Sequence, residues 1–411
     1  MENFDLLPRP SDRRIAIHVK PAAERALRAG HPWLFDQAIR KQSHEGQPGD
    51  LAVVFDSKGR FLAVGLYDPD SPIRVKVLQH QQQATINPAW FAERLQAAVD
   101  RRAPLLTEQT NACRLVHGEN DGLPGLIVDR YAGTLVLKLY TPAWLPHLRD
   151  VIAGLEVAQE AERLVLRLSR NMETQAAVYG LHDGQIVRGE PLTEPVIFLE
   201  NGLRFAADVI HGHKTGFFFD QRDNRAQVRA LADKRRVLDV FAYSGGFSVY
   251  AAAGGAQAVT SLDISAPALD AAAANFALNQ DHPQVAAAHH RVMVEDAFEG
   301  LALLYDLRQT FDMLIVDPPS FAKSAAEVER ALAAYTRLTQ AALAVLEPGG
   351  LLVIASCSSR VTPEAFFDTV LREAQAAGRP LTEIQRTGHA LDHPIGFPEG
   401  AYLKCLYARA R

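Results

Sequence analysis

Cysteine is scarce. Only Cys113, Cys357 and Cys405 occur in 411 residues. They are too few and too far apart for a disulfide framework or a paired-cysteine zinc site, so no metal is expected and a reducing cytoplasm fits. Long apolar runs are absent too. No stretch approaches the ~18 consecutive apolar residues of a membrane span. The opening Met1-Glu2-Asn3-Phe4-Asp5-Leu6-Leu7-Pro8 has neither a basic n-region nor an apolar h-region, so no secretory signal is expected. Positive charge is not in excess: the net charge is −5. That argues mildly against nucleic-acid binding by the chain as a whole, although a local patch is what contacts phosphate.

The length predicts two to four domains at ~100–200 residues each. Residues 1–12 read as a flexible lead. Residues 13–85 alternate short strands with turns (Ile15 to Val19, Leu51 to Phe55, Phe61 to Gly65, Ile73 to Leu78), interrupted by a helix from Ala22 to Ala29. Ser57-Lys58-Gly59-Arg60 is a hairpin turn. Within residues 9–41 eight Lys or Arg face three acids, beside His31, Trp33 and Phe35. Charge plus stacking surface is what RNA binders use. A solvated basic helix accounts for the same composition equally well.

Residues 86–200 read as a second, α+β module, with helices from Pro88 to Val99 and Trp144 to Leu155. Gly118-Glu119-Asn120-Asp121-Gly122-Leu123-Pro124-Gly125 is a turn between two of its strands. Residues 201–411 then alternate strand and helix. Buried strands are expected at Arg236 to Phe241, Ala258 to Leu262, His290 to Val294, Met313 to Val316 and Leu351 to Ala355, with helices at Ala266 to Leu278 and Glu327 to Leu346. That spacing predicts a parallel, doubly wound sheet. Glu383 to Arg386 and Tyr402 to Arg409, with no obvious helix between them, suggest an antiparallel hairpin on its edge.

The most informative stretch is Phe311-Asp312-Met313-Leu314-Ile315-Val316-Asp317-Pro318-Pro319-Ser320-Phe321. An apolar strand ends in an acid, two prolines, a small residue and a ring. The prolines cannot continue a central strand and leave a stiff loop with free carbonyls at the carboxyl edge, where open α/β sheets bind ligands. Acceptors beside an aromatic suit a flat heterocycle bearing an amino group.

Acids end four consecutive strands of this half: Asp239, Asp263, Asp296 and Asp317. A single strand-end acid is usually a loop or cap residue; four in a row are hard to ascribe to chance. After the first strand, Phe241, Tyr243 and Gly245 form a glycine-containing loop at a helix N-terminus. The loop is not Gly-x-Gly-x-x-Gly, which disfavours a dinucleotide, and Asp239 would repel phosphate but suit a cationic amino group. Asp263 is placed for a ribose and Asp296 and Ala297 for an adenine, with Ile264 also expected at the cofactor. Gln221 and Arg222 either line the cofactor or RNA mouth or simply belong to a packed segment beside Phe217-Phe218-Phe219.

Here the chain resembles the class I S-adenosylmethionine-dependent methyltransferases over residues 201–411. Over its whole length it resembles the RlmI-like enzymes that make 5-methylcytosine in large-subunit ribosomal RNA. The carrying segments are Gly30-His31-Pro32-Trp33-Leu34-Phe35, the Gly118–Gly125 turn, His211-Gly212-His213-Lys214-Thr215-Gly216 with Asp220-Gln221-Arg222-Asp223, the Asp317 loop and Ser356-Cys357-Ser358. The resemblance implies an N-terminal PUA domain (an RNA-binding β-barrel), a central α+β domain, a Rossmann-like catalytic domain binding S-adenosylmethionine, and a possible homodimer. On this view Arg28, Trp33, Lys214, Arg222, Pro318, Pro319 and Phe321 face RNA.

A lone cysteine is most often a small buried hydrophobe. Cys357, however, ends the fifth strand, beside the expected Asp317 loop. A thiolate there could add to carbon 6 of cytosine, with Asp317 holding the base. Cys113 and Cys405 lie within strands and read as packing residues. A guanine or adenine N-methyltransferase would use the same Asp-Pro-Pro loop without a thiol. A non-catalytic ribosome assembly factor and a nicotinamide dehydrogenase are further alternatives, the last disfavoured by its missing glycine pattern.

Overall fold

The structure is a computed structural model that describes Phe4 and residues 6–411. Of the expected lead at residues 1–12, residues 1–3 and 5 lie outside the described residues. The chain forms two compact units. One comprises Met1–Phe198, Ala207–Phe217 and Leu391–Pro398; the other comprises Leu199–Ala206, Phe218–Ala390 and Glu399–Arg411. Among the described residues no helix is long and apolar enough to cross a membrane.

The first unit carries two sheets. Strands β1 (Ile15–Val19), β2 (Trp33–Phe35), β3 (Ile39–Gln42), β4 (Leu51–Phe55), β5 (Phe61–Tyr67) and β6 (Ile73–His80) are ordered β2-β6-β5-β4-β1-β3, with α1 (Pro21–Arg28) after β1. Alternation explains β1: Ile15, Ile17 and Val19 point inward and are buried. The β4–β5 turn is built by Asp56, whose Oδ1 accepts from the Lys58 and Arg60 amides, while Gly59 supplies φ +76°. The second sheet, ordered β11-β10-β9-β8-β7, is made of β7 (Ala112–His117), β8 (Leu126–Tyr131), β9 (Thr134–Leu139), β10 (Arg163–Leu168) and β11 (Gln185–Arg188). Helices α2 (Pro88–Arg102), α3 (Leu148–Ala158) and α4 (Glu173–Ala177) accompany it. The helix expected from Trp144 starts later, at Leu148. Residues Pro142–His147 form a short 3-10 turn instead, because Pro142 and Pro146 withhold two amide donors.

Strands β12 (Val196–Glu200) and β13 (Leu203–Ala207) follow in the chain. The second unit then builds α5 (Arg222–Leu231), β14 (Arg236–Val240), α6 (Gly246–Ala253), β15 (Ala258–Asp263), α7 (Ala266–Ala277), α8 (Pro283–Ala287), β16 (His289–Val294), α9 (Ala297–Asp306), β17 (Phe311–Val316), α10 (Val328–Val345), β18 (Leu346–Ser356), α11 (Pro363–Ala376), β19 (Leu381–Thr387) and β20 (Lys404–Ala410). Its seven-stranded sheet runs β16-β15-β14-β17-β18-β20-β19. The first five strands are parallel, and β20 pairs antiparallel with both β18 and β19. The central strands are largely apolar, with Val237, Leu238 and Val240 of β14 and Met313 to Val316 of β17 buried, as expected of strands covered on both faces. The order reverses at β14/β17, so a crevice is expected beyond their carboxyl ends.

The fold class expected from sequence is therefore present: a PUA-like N-terminal module, an α+β module, and a Rossmann-like sheet with an antiparallel edge. The link between β19 and β20 explains why no helix was legible there. Its residues Leu391–Pro398 leave the second unit and pack in the first. Arg114 donates its amide to Asp392 Oδ2 at 2.9 Å, and the buried Arg102 donates to the Asp392 carbonyl at 3.0 Å.

Candidate active site

Asp239, the next-to-last residue of β14, is buried; its Oδ2 accepts from Ser248 Oγ at 2.6 Å. The chain then turns sharply, with φ of +65° at Phe241, +48° at Tyr243 and +73° at Gly245. Only the last of these is glycine. A Cβ at Gly245 would come within 2.8 Å of the Ala272 Cβ, so this position needs glycine for both space and conformation. The strained loop is held from outside: Asp263 Oδ2 accepts the Tyr243 amide at 2.9 Å, and Asn275 Nδ2 donates to the Ser244 carbonyl at 2.8 Å. Asp263 Oδ1 accepts the Ser265 amide. Ile264, next to it, is 71% exposed, an apolar side chain left bare at a strand end. Asp296 caps α9, its Oδ1 accepting from the Phe298 and Glu299 amides, and Ala297 is buried beneath it.

Asp239 is the electrostatic anomaly. Burial lifts its pKa, the Ser248 hydrogen bond opposes this, and the nearby Asp317 and Asp263 charges raise it further, to about 7. Its Oδ1 is buried and has no hydrogen-bond partner among the described residues. An acceptor in that state, beside a loop of positive φ and an exposed apolar residue, fits a ligand carrying an ammonium, a ribose and a flat ring. The residues present thus fit S-adenosylmethionine.

The second half of the site is a cross-linked pair of loops. Asp317, half-buried, follows β17, and its amide donates to the Val240 carbonyl at 3.3 Å. Pro318 is buried, Pro319 exposed and Phe321 half-buried, with the Phe321 ring 5.1 Å from Tyr335 of α10. The loop is tied to the end of β18 by Ser358. Its Oγ lies 3.0 Å from Ser320 Oγ and accepts from the amides of Phe321 and Ala322 at 3.1 and 3.4 Å. On the other side of the cysteine, Ser356 Oγ accepts from Tyr335 at 2.8 Å. Both flanking serines are thereby anchored, and Cys357, half-buried, lies between them with Sγ 3.7 Å from the Pro318 carbonyl. Cys113 and Cys405 are fully buried, and burial pushes the Cys405 thiol far up.

The family profile described as S-adenosylmethionine-dependent methyltransferase matches residues 113–400. The chain belongs to that family. A PUA-like domain profile matches residues 17–80. Among relatives, a ribosomal RNA large subunit methyltransferase of Deinococcus radiodurans is 48% identical over 405 residues, covering 97% of this chain and 98% of that one. A ribosomal RNA large subunit methyltransferase I of Shewanella frigidimarina is 37% identical, covering 96% and 99%. In fold the chain is similar to a SAM-dependent methyltransferase structure from Streptococcus mutans (TM-score 0.80, 21% identity, 96% of this chain and 99% of that one). It is equally similar to a methyltransferase structure complexed with SAH (TM-score 0.81, 21% identity, the same coverage). S-adenosylmethionine is the family's cofactor.

For this methyltransferase the structure brings Asp239, Phe241, Tyr243, Gly245, Asp263 and Asp317 together around the ends of β14, β15 and β17. Gln221 is buried in the turn before α5, its Oε1 accepting from Asn224 at 2.5 Å. Arg222, expected toward RNA, is buried against Glu200 at 3.3 Å, with its guanidinium 5.4 Å from the Phe219 ring. Arg225 and Tyr250 complete that cluster, donating to Glu200 at 2.8 and 3.0 Å. Arg222 is one side of a buried ion-pair group because its position on α5 turns it inward, which its charge alone does not reveal. In the first unit, Arg28 pairs with Asp56 at 2.7 Å, and Lys214 is exposed. Trp33 donates to Glu119 Oε1 at 3.0 Å and packs edge-on against Phe397, 5.1 Å away, and His31. Sequence reasoning missed Tyr335, which carries no local signal on an ordinary helix. It also missed Lys404, whose signal was a lone cation in the apolar run Leu403-Lys404-Cys405-Leu406-Tyr407.

Proposed function

We propose that this protein forms 5-methylcytosine in large-subunit ribosomal RNA, with Cys357 as covalent nucleophile and Asp317 as the group that holds the base. The observation that carries the reading is the placement of the Cys357 Sγ against the Pro318 carbonyl, in the loop that begins with Asp317. The names of its relatives support ribosomal RNA as the substrate, and the PUA-like module supports RNA contact by Arg28, Trp33 and Lys214. A cytoplasmic site of action and a homodimer belong to the same proposal, as does a division into domains at 13–85, 86–200 and 201–411.

Bound S-adenosylmethionine supplies an electrophilic methyl group. Asp239 receives its ammonium, Asp263 the ribose hydroxyls, and Ile264, Asp296 and Ala297 the adenine, with Phe241, Tyr243, Gly245 and Gln221 closing around it. Carbon 5 of cytosine is a poor nucleophile on its own. When the Cys357 thiolate adds to carbon 6, the C5=C6 π pair shifts and carbon 5 becomes enamine-like. Pro318, Pro319 and Phe321 border the ring, and Asp317 accepts from its nitrogen edge. After methylation, loss of the carbon-5 proton to a base re-forms C5=C6 and expels the thiolate, so the enzyme is regenerated.

The test is Cys357→Ala, assayed for methyl transfer to ribosomal RNA alongside calorimetric binding of S-adenosylmethionine. Intact cofactor binding with transfer reduced by at least ~10³-fold is expected. Retained transfer would sink the covalent mechanism and favour attack by an exocyclic amine, as in guanine or adenine N-methylation. Nucleoside mass spectrometry of ribosomal RNA from a deletion strain reads the product: loss of one 5-methylcytosine is expected.

A further inference from the structure

We propose that Lys404 is the positioning residue for Cys357. Its ammonium pins the turn that carries the thiol and sets a positive potential beside it. This rests on the reading of Cys357 as nucleophile. Lys404 opens β20 and faces Ser356 across the β18–β20 ladder, one residue before the cysteine. It is buried, and its Nζ donates to three backbone carbonyls: Ser358 at 2.5 Å, Val361 at 2.6 Å and Tyr402 at 3.2 Å. Three acceptors use all three donors of an ammonium. Two of the three belong to the turn that immediately follows Cys357. An uncharged side chain of similar length would leave those carbonyls with fewer donors, so the cage selects a cation.

Among the described residues Lys404 makes no ion pair with a carboxylate; its hydrogen bonds go to neutral carbonyls. Burial draws its pKa down to about 8, while the Cys357 charge pushes it back up. The two groups therefore stabilise each other's ionised forms. The other titratable groups around the thiol come from different elements. Tyr335 of α10 is pushed up to about 12, mainly by burial, and stays neutral at physiological pH. Asp317, in the loop after β17, carries the opposite charge and works against the thiolate. Cys405 and Tyr407 on β20 are both raised by burial and stay protonated. Among these described groups Lys404 supplies positive charge. A thiolate nucleophile needs such a neighbour, since an isolated thiol ionises only near pH ~8.5.

The experiment is the pH dependence of iodoacetamide alkylation at Cys357 in the full chain, followed by peptide mass spectrometry. The buried Cys113 and Cys405 serve as internal unreactive controls. The wild-type midpoint is expected below ~8.5. Lys404→Gln should raise it by about one unit or more, and Lys404→Arg should hold it near the wild-type value. In methyl transfer, Lys404→Gln should lower kcat and move the alkaline rise of the pH–rate profile upward, with the KM for RNA little changed. A Lys404→Gln midpoint equal to wild type overturns the proposal. So does a wild-type midpoint at or above ~8.5, a measurement that needs no variant to fold. If Cys357→Ala keeps its activity, the covalent mechanism fails while the alkylation profile still decides the role of Lys404.

Discussion

In the first unit Asp121 accepts from Arg101 and from both Nη atoms of Arg102, and Asp129 accepts two hydrogen bonds from Arg114 at 2.8 and 2.9 Å. In the second unit Asp239 is just as deeply buried. It accepts from a serine at one oxygen and from nothing among the described residues at the other. Both regions remove carboxylates from water, and both must answer for the desolvation. The first does so with guanidinium forks that neutralise each acid permanently. Glu200, held by Arg222 and Arg225, shows that the second unit also uses this device where the acid is structural. Asp239 lacks it, so its carboxyl is left to take up a proton or wait for a cation from outside. A cation carried by a ligand would supply at Asp239 what the guanidinium forks supply elsewhere.

The largest expected effect tests the saturated side of this contrast. Asp121→Ala leaves the fully buried Arg102 without its carboxylate and should destabilise the protein by about 3–5 kcal/mol, read as a lower urea midpoint. A loss under ~1 kcal/mol would mean that Arg102 finds enough substitutes in the Asp392 and Ala98 carbonyls. Asp239→Asn should act in the opposite sense. Because its carboxyl titrates near 7 when folded and near 3.8 when unfolded, the folded state holds the extra proton in between. Stability therefore falls as pH rises from about 4 through 7, and above that window the ionised acid is a liability. The amide should raise the stability of the cofactor-free protein at pH 8 by about 2–4 kcal/mol while abolishing calorimetric binding of S-adenosylmethionine. Unchanged stability at pH 8 would show that Asp239 is better solvated than its burial implies. Ser358→Ala removes the acceptor for two loop amides and should lower stability by about 1–3 kcal/mol, with a slower alkylation of Cys357. Smallest of all, Asp281→Asn breaks only an exposed pair with Arg204 and should leave the thermal midpoint unchanged.

The strand-end acids were legible because the strand-then-acid pattern repeats at the spacing of βα units. The Asp317 loop was legible for the same reason, with prolines marking where the strand must stop. Arg222 was misread as facing RNA, since charge in a polar stretch does not say which way a helix is turned. The helix expected from Trp144 starts only at Leu148, because Pro142 before it and Pro146 in its first turn favour a 3-10 segment. The sequence did not reveal that Asp296 caps α9 through its Oδ1, because a cap and a ligand-facing acid look alike in a strand-end loop.

The periodicity of apolar runs, and the residues that end them, were enough by themselves to determine a parallel sheet carrying acids at one edge. Those are local properties, written in consecutive residues. What only the tertiary structure decided are pairings between distant segments. Lys404 stands opposite Ser356 because β20 inserts antiparallel beside β18, and Ser358 clasps the Asp317 loop 36 to 38 residues away. No local pattern encodes a cross-strand register, because it follows from how the whole sheet is ordered. The neighbours that surround Cys357 are of that kind.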